Sequence, residues 1–401
     1  MSELKTSLKE RRIIEDNKQC ARMIEKTQVY VPMNGRHEVI KNRLTHLYEV
    51  ATSATVIAAS VAESKGVDLY DIDYRFSVHN VSMLHDQGHP PFGHDGAELL
   101  DSRFKALGVE EGFSDNNNNL TVVEKNGMEV RDYVIASTIK YPDKLYGTQK
   151  EKYLPMLEKA LKEDKAHYAS LGINLTGQTT TIACQIMDEA DRNSYTFTDM
   201  SDCLCMGVKI EADDIVRIAS QYGIKKDDPL LQEFIEISQN GDKSTIKSVL
   251  SNFKEMANES YVISDIGLEM INPKIEMLRE AINKVTMEYY IGPIRTEPFH
   301  QDNMQKLSDL LDEMLAGRFL PSKHYRGIIE GTDCNLTKYR AIRDMIGEVS
   351  DWYVLNMHDE LNLDHKRERR PFNEILLEAR NIVKTKQILN EYTNESPVLG
   401  M

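Results

Sequence analysis

The sequence predicts an all-α protein, a helical core followed by a helical C-terminal extension. Three observations predict it. Apolar residues recur at three- and four-residue spacing through most of the chain, alternating β-branched runs are few, and Gly, Pro and Asn breaks separate the helical stretches. With 401 residues, 41% of them hydrophobic, the chain can bury a sizeable core.

In chain order, residues 4–28 place Leu4, Leu8, Ile13, Ile14, Ala21 and Ile24 at helical spacing. They read as an exposed amphipathic helix leading to Lys26-Thr27-Gln28-Val29. After a turn at Pro32-Met33-Asn34-Gly35, residues 39–61 carry Leu44, Leu47, Val50, Ala51, Ala54, Ile57, Ala58 and Val61 on one stripe, with His46 beside it. The next helix, over 72–85, carries Phe76, Val81 and Leu84 and stops at Gly88 and Pro90-Pro91. The polar run Asp115-Asn116-Asn117-Asn118-Asn119 reads either as a low-complexity loop or as an Asn-rich helix entry lining a pocket. A helical pattern through 133–140 ends at Tyr141-Pro142, and lysines mixed with glutamates over 144–165 read as a solvated face.

Over 179–204, Asp188, Asp191, Tyr195, Asp199 and Asp202 recur every three or four residues and share one helical face. A row of acids needs solvent or a cation beside it. Helices follow over 229–237, 245–256, 273–290, 302–315, 336–357 and 371–392, without an internal repeat or a Gly/Ser linker. The economical reading is a single large helical domain with a helical C-terminal extension, 1–205 as the core and 206–401 as the region packed on it.

Acidic residues outnumber basic ones 64 to 49, a formal charge of -15, so nucleic acid is not an expected partner. A small phosphorylated ligand needs only a few converging cations. Cys20, Cys184, Cys203, Cys205 and Cys334 include no CxxC pair and fit a reducing compartment as buried or inert thiols. The N-terminal residues lack the apolar core of a signal peptide and no run reaches membrane-spanning length, so a cytoplasmic protein without membrane contact is expected.

Chemistry concentrates in residues 82–98, SMLHDQGHPPFGHDGAE. His85 and Asp86 are adjacent and can both ligate a metal only if the backbone turns beneath them, which Gly88, Pro90 and Pro91 allow. The second such pair, His358-Asp359, has no comparable setting and reads as structural. His46, His85-Asp86 and an acid from a later helix would give two imidazoles and two carboxylates. That mixed set suits a borderline-to-hard divalent ion and leaves positions for phosphate oxygen and water.

The run His85-Asp86-Gln87-Gly88-His89-Pro90-Pro91-Phe92-Gly93-His94 resembles the HDxGHPPFGH signature of the deoxyguanosine triphosphate triphosphohydrolase branch of the HD phosphohydrolase superfamily. Lys26-Thr27-Gln28-Val29, Arg43-Leu44-Thr45-His46 and Lys140-Tyr141-Pro142 are similar to its KTQV, RLTH and KYP elements. Residues 185–195 resemble its QxxDxADRxxY helix, and residues 344–353 its C-terminal DYIAGMTDRY segment. The resemblance implies an HD-domain helical core that hydrolyses deoxynucleoside triphosphates, dGTP first, to deoxynucleoside and inorganic triphosphate.

It further implies that His46, His85, Asp86 and Asp191 bind one divalent metal (manganese, magnesium or iron), and that Arg43, Lys140 and Lys150 hold the triphosphate. Gln28 and Asp199 look like the pair that bonds the sugar 3'-hydroxyl, Tyr195 resembles the aromatic packed on the deoxyribose, and Tyr141 joins the substrate contacts. His94 is the candidate acid for the leaving 5'-oxygen, with His89 next to the α-phosphate and Glu98 as a partner of His94. A hexamer or tetramer, activated by a bound nucleotide, is the implied assembly.

Three positions depart from the family pattern. The glutamate usual three residues after the last signature histidine is Ala97 here, with Glu98 one residue later and so rotated by about 100°. The FEHNAQ-like element appears as Phe113-Ser114-Asp115-Asn116-Asn117-Asn118, and Trp352 stands where the C-terminal segment has arginine. The alternatives are a nucleotide sensor or assembly protein that keeps the pocket without useful turnover, or an HD enzyme acting on another phosphoester.

Overall fold

A computed structural model of the chain describes residues 2–28, 41–66 and 72–361. The turn expected at Pro32-Met33-Asn34-Gly35 and the helix expected over 371–392 lie outside the described residues. Among those described, the fold is all-α apart from one two-stranded hairpin. The chain forms two compact units, Met1–Gln87 with Asn119–Thr296 and Gly88–Asn118 with Glu297–Met401.

The first unit is built on the helix Ile182–Cys205, which packs against helices Arg43–Lys65, Ile72–Leu84, Lys243–Asn258 and Pro273–Thr286. Its N-terminal half puts Ile182, Ile186, Met187 and Ala190 into a cluster with Leu47, Val50, Ala54, Ile57, Val81 and Leu84. Its C-terminal half puts Phe197, Met200 and Cys203 into a second cluster with Phe234, Phe253, Leu278 and Ile282. An apolar stripe on one side of a helix serves one core; this helix serves two in succession and is therefore buried along most of its length.

The N-terminal segment is not the single exposed helix that its periodicity predicts. The helix Ser2–Glu15 ends before Asn17, whose extended backbone and side chain, accepting from the Gln19 N–H at 2.8 Å, start a new helix, Lys18–Arg22. Ile14, Cys20 and Met23 are buried in the first cluster, because the segment packs against Ile72–Leu84 and Arg43–Lys65.

The hairpin Tyr261–Ser264/Gly267–Met270 escapes a reading based on alternation because each strand has only four residues. Gln185 docks it on the central helix, its Oε1 accepting from the Leu268 N–H at 2.9 Å. Beneath lies a buried polar network in which Arg279 donates to Glu189, Asn193 and the Tyr261 hydroxyl at 2.6–2.7 Å. Burying such a charge is tolerable because both Arg279 terminal nitrogens have acceptors, although its Nε is buried without one among the described residues.

Asp164, on the helix Gly147–Ser170, is buried and accepts from the Tyr133 hydroxyl at 2.7 Å and the Ile182 N–H at 2.6 Å. Burial outweighs both hydrogen bonds and pushes its carboxyl up to about 6. The folded state therefore holds this proton between about pH 4 and 6 while the unfolded chain releases it. Stability from this group is present below about pH 4 and is lost as pH rises through 6, a change of about 3 kcal/mol. Urea titrations of wild type and Asp164→Asn across pH 4–7 check this. The difference between the two should shrink as pH rises.

In the second unit the helices Gly93–Ala106, Pro298–Leu315, Asn335–Gly347 and Asp351–Glu360 bury Leu99, Phe104, Leu307, Leu311, Ile346 and Val354. The single helix expected over 336–357 is two, separated where the Ser350 hydroxyl accepts from the Tyr353 N–H at 3.2 Å and caps the second. His358 of the second His-Asp pair is buried with its Nε2 3.3 Å from Asp309. Four cysteines are buried, and burial pushes the Cys184 and Cys203 thiols up to about 12; Cys334 is exposed. Among the described residues no helix is long and apolar enough to cross a membrane.

Candidate active site

The site in the first unit starts at the N-terminus of the helix Arg43–Lys65. Asn42 caps it, accepting from the Thr45 N–H at 3.0 Å, and also pairs with Thr27, while the Arg43 N–H donates to the Lys26 carbonyl at 3.0 Å. These bonds hold Lys26-Thr27-Gln28 beside the first helical turn. Arg43 and His46, three residues apart, point from one face of that turn. His85 and Asp86 follow directly on the C-terminus of Ile72–Leu84.

His46, His85 and Asp86 form a buried group whose ligand atoms lie within 4.8 Å of one another, a set able to hold a metal ion. Asp191 joins them from the central helix, its Oδ1 3.0 Å from His46 Nε2 and 3.7 Å from His85 Nε2. Asp86 Oδ1 is 3.4 Å from His85 Nε2. His85 Nδ1 donates to the Ser82 carbonyl at 2.6 Å, which leaves Nε2 as the atom facing the carboxylates. That Nε2 is buried and makes no hydrogen bond of ordinary geometry among the described residues. Two imidazole nitrogens and two carboxylates converging at this spacing fit a divalent cation with N and O ligands.

Cations surround the group. Lys140 Nζ sits 2.8 Å from both Asp188 and Asp191, so the neighbour that the acidic row needed is a lysine. Arg43 Nη1 donates to Asp86 Oδ2 at 2.7 Å, while its buried Nε and Nη2 have no partner among the described residues. Burial alone would lower the ammonium of Lys140, but Asp191, Asp188 and Asp86 hold it well above the usual lysine range. Burial likewise works to raise Asp191, and Lys140 and then His85 overcome it and keep the carboxyl well below its usual range. Burial opposes the charged form of His85, yet Asp86 and Asp191 raise it.

The other expected substrate residues divide. Gln28 Oε1 is buried without a partner among the described residues. Tyr195 is half-buried, one turn beyond Asp191, and its hydroxyl is pushed up to about 12 by burial and then by Asp191. Asp199 is buried, and burial followed by repulsion from Asp202 and Glu49 holds its carboxyl well above the ordinary range. Tyr141 is exposed with Lys144 Nζ 4.3 Å over its ring, and Lys150 is exposed on the first turn of Gly147–Ser170.

His89, His94 and Asp115 form a second group of possible ligands, in the second unit. The turn that leads to His94 carries Phe92 at φ 61 and Gly93 at φ 60, and Phe92 is the only non-glycine residue with positive φ among those described. Asp351 stabilises it, accepting from the Phe92 N–H at 2.8 Å. Sequence reasoning missed this anchor; the signal was its place in the C-terminal segment at 344–353. Trp352 beside it is exposed. Glu98 lies half-buried on the same helix as His94.

Gly96 closes the turn: a Cβ there would lie 1.8 Å from the Pro91 carbonyl oxygen. Gly96→Ala is therefore expected to displace the signature turn and cost about 1–3 kcal/mol or more, measurable by thermal denaturation. A melting temperature equal to wild type would contradict this packing.

Comparison with known proteins bears on the same residues. No protein-family model matches the chain. It is 24% identical over 394 residues to a deoxyguanosinetriphosphate triphosphohydrolase-like protein of Bifidobacterium longum, covering 85% of this chain and 79% of that protein. A protein of the same name from Shewanella sediminis is 24% identical over 392 residues, covering 85% and 88% of the two chains. Deoxyguanosinetriphosphate triphosphohydrolase-like protein 2 of Mesorhizobium japonicum is 30% identical over 324 residues, covering 72% and 64%. Relatives that share this name, 21–30% identical over most of the chain, support a deoxyguanosinetriphosphate triphosphohydrolase-like family. The likeness to the first two extends over 85% of this chain.

Proposed function

We propose that this protein hydrolyses deoxynucleoside triphosphates, dGTP first, to deoxynucleoside and inorganic triphosphate, using one divalent ion held by His46, His85, Asp86 and Asp191. The observation that carries the reading is Arg43: a buried guanidinium with one nitrogen on Asp86 and two donors unspent, beside a metal-type group. Buried donors without acceptors are costly unless an anion completes them, and a planar fork matches phosphate oxygen.

The bound ion, manganese, magnesium or iron by its ligand set, would polarise the α-phosphate and lower the pKa of the attacking water. The chain's own residues do the rest. Arg43 and Lys140 neutralise the triphosphate, with Lys150 reaching its outer phosphates. Gln28 and Asp199 bond the sugar 3'-hydroxyl, while Tyr195 packs on the deoxyribose and Tyr141 flanks it. His94 protonates the leaving 5'-oxygen, with His89 beside the α-phosphate.

All these residues fall within 1–205, the stretch we assign as catalytic core. The reading carries with it a cytoplasmic hexamer or tetramer activated by a second nucleotide, which light scattering with and without dNTP would test. For the activity itself, the purified protein is incubated with manganese and each dNTP singly and in mixtures, and the products are resolved. Triphosphate and deoxynucleoside are expected. Pyrophosphate or orthophosphate as the first product overturns the proposal, and dNTP binding without turnover under any divalent metal would favour a sensor instead.

A further inference from the structure

We propose that Asp115 is the positioning residue for His94, supplying from the helix Asp115–Lys125 the carboxylate that orients the imidazole for proton transfer. This rests on the triphosphohydrolase reading above. The geometry is local to the second unit. Asp115 Oδ2 lies 3.8 Å from His94 Nδ1 and 3.2 Å from His89 Nε2, and the two rings meet edge to face with centroids 5.3 Å apart.

The two oxygens of Asp115 have separate tasks. Oδ1 accepts from the Asn116 N–H at 2.8 Å and from the Asn116 side chain at 3.0 Å, which fixes the carboxylate and turns Oδ2 to the histidines. The helix start is itself pinned. Asn118 N donates to the Ser114 carbonyl at 2.8 Å, and Asn118 Nδ2 to the Gly88 carbonyl at 2.7 Å, next to His89 in the chain. The Asn-rich run is thus a helix entry, and it places a carboxylate at an N-terminus, where negative charge is favoured.

His94 is exposed and His89 buried, so His94 offers a nitrogen to solvent while its other nitrogen stays near Asp115. A negative charge 3.8 Å from Nδ1 favours a proton on that nitrogen, so that the proton exchanged with the substrate is the one on Nε2. In the step, water oxygen bonds to the α-phosphorus and its proton leaves to solvent. The bond to the 5'-oxygen breaks with its electron pair on that oxygen, which takes the Nε2 proton of His94. Solvent then reprotonates the imidazole.

The test compares wild type, His94→Ala and Asp115→Asn on a dNTP and on its analogue with sulfur in place of the bridging 5'-oxygen, whose thiolate leaves without a proton. Both variants are expected to lose roughly a hundredfold in kcat on the oxygen substrate, with KM nearly unchanged, and less than tenfold on the sulfur substrate. Equal losses on both substrates, a loss in KM alone, or no loss overturn the assignment of Asp115. Should Asp115→Asn not fold, as read from its melting curve, Asp115→Ser is compared in the same way. Wild type that releases no triphosphate from any dNTP removes the triphosphohydrolase reading, and this inference with it.

Discussion

Arg43→Ala is expected to lower kcat/KM for dNTP hydrolysis by about 10²–10³, the loss typical of removing a preorganised donor from developing charge in a water-poor site. The reason lies in how the guanidinium is divided. Nη1 holds Asp86 at 2.7 Å, and the buried Nε and Nη2 have no partner among the described residues. Truncation removes the two donors that the proposed reading gives to phosphate oxygen and also releases a carboxylate of the metal-type group. Arg43→Lys keeps a charge but not the planar fork, and should recover only a small part of the loss. Steady-state kinetics with triphosphate release as readout checks both, and a loss below about tenfold would remove Arg43 from the phosphate site.

Asp191→Asn should abolish the response to metal. A divalent ion at a hundred times its dissociation constant is expected to stabilise wild type by about 2.7 kcal/mol, visible as a rise in melting temperature. Without the carboxylate that lies 3.0 Å from His46 and 3.7 Å from His85, affinity should fall by about a hundredfold or more and that rise should nearly vanish. Lys140 keeps a partner in the variant, because its Nζ also lies 2.8 Å from Asp188. The melting temperature without metal separates misfolding from lost binding. An undiminished rise with manganese would mean that Asp191 is not a ligand.

Much of this was legible in the chain. Periodicity located the central helix to within a few residues, 179–204 against Ile182–Cys205, because a helix packed on both sides keeps a strong pattern. The first helix was misread as continuous, since the Asn17 cap interrupts a pattern that otherwise runs on. The four-residue strands of the hairpin were too short to show alternation. In the site, a contiguous signature announced His85, Asp86 and His94, and the row of acids announced the need for a cation.

What the sequence determined by itself was therefore local: helical content, the turn at Gly88 to Gly93, and the residue types able to bind metal and phosphate. These follow from periodicity, from backbone freedom and from ligand chemistry, all of which act within a few residues. Only the tertiary structure decided which charges meet. Lys140 could have paired with many carboxylates, and it meets Asp188 and Asp191 because the central helix carries both to it. Asp351 stabilises Phe92 from 259 residues away, and Asp115 faces His94 from a different helix. Coulomb energy and hydrogen bonding depend on distance in space, and only the packed helices set that distance.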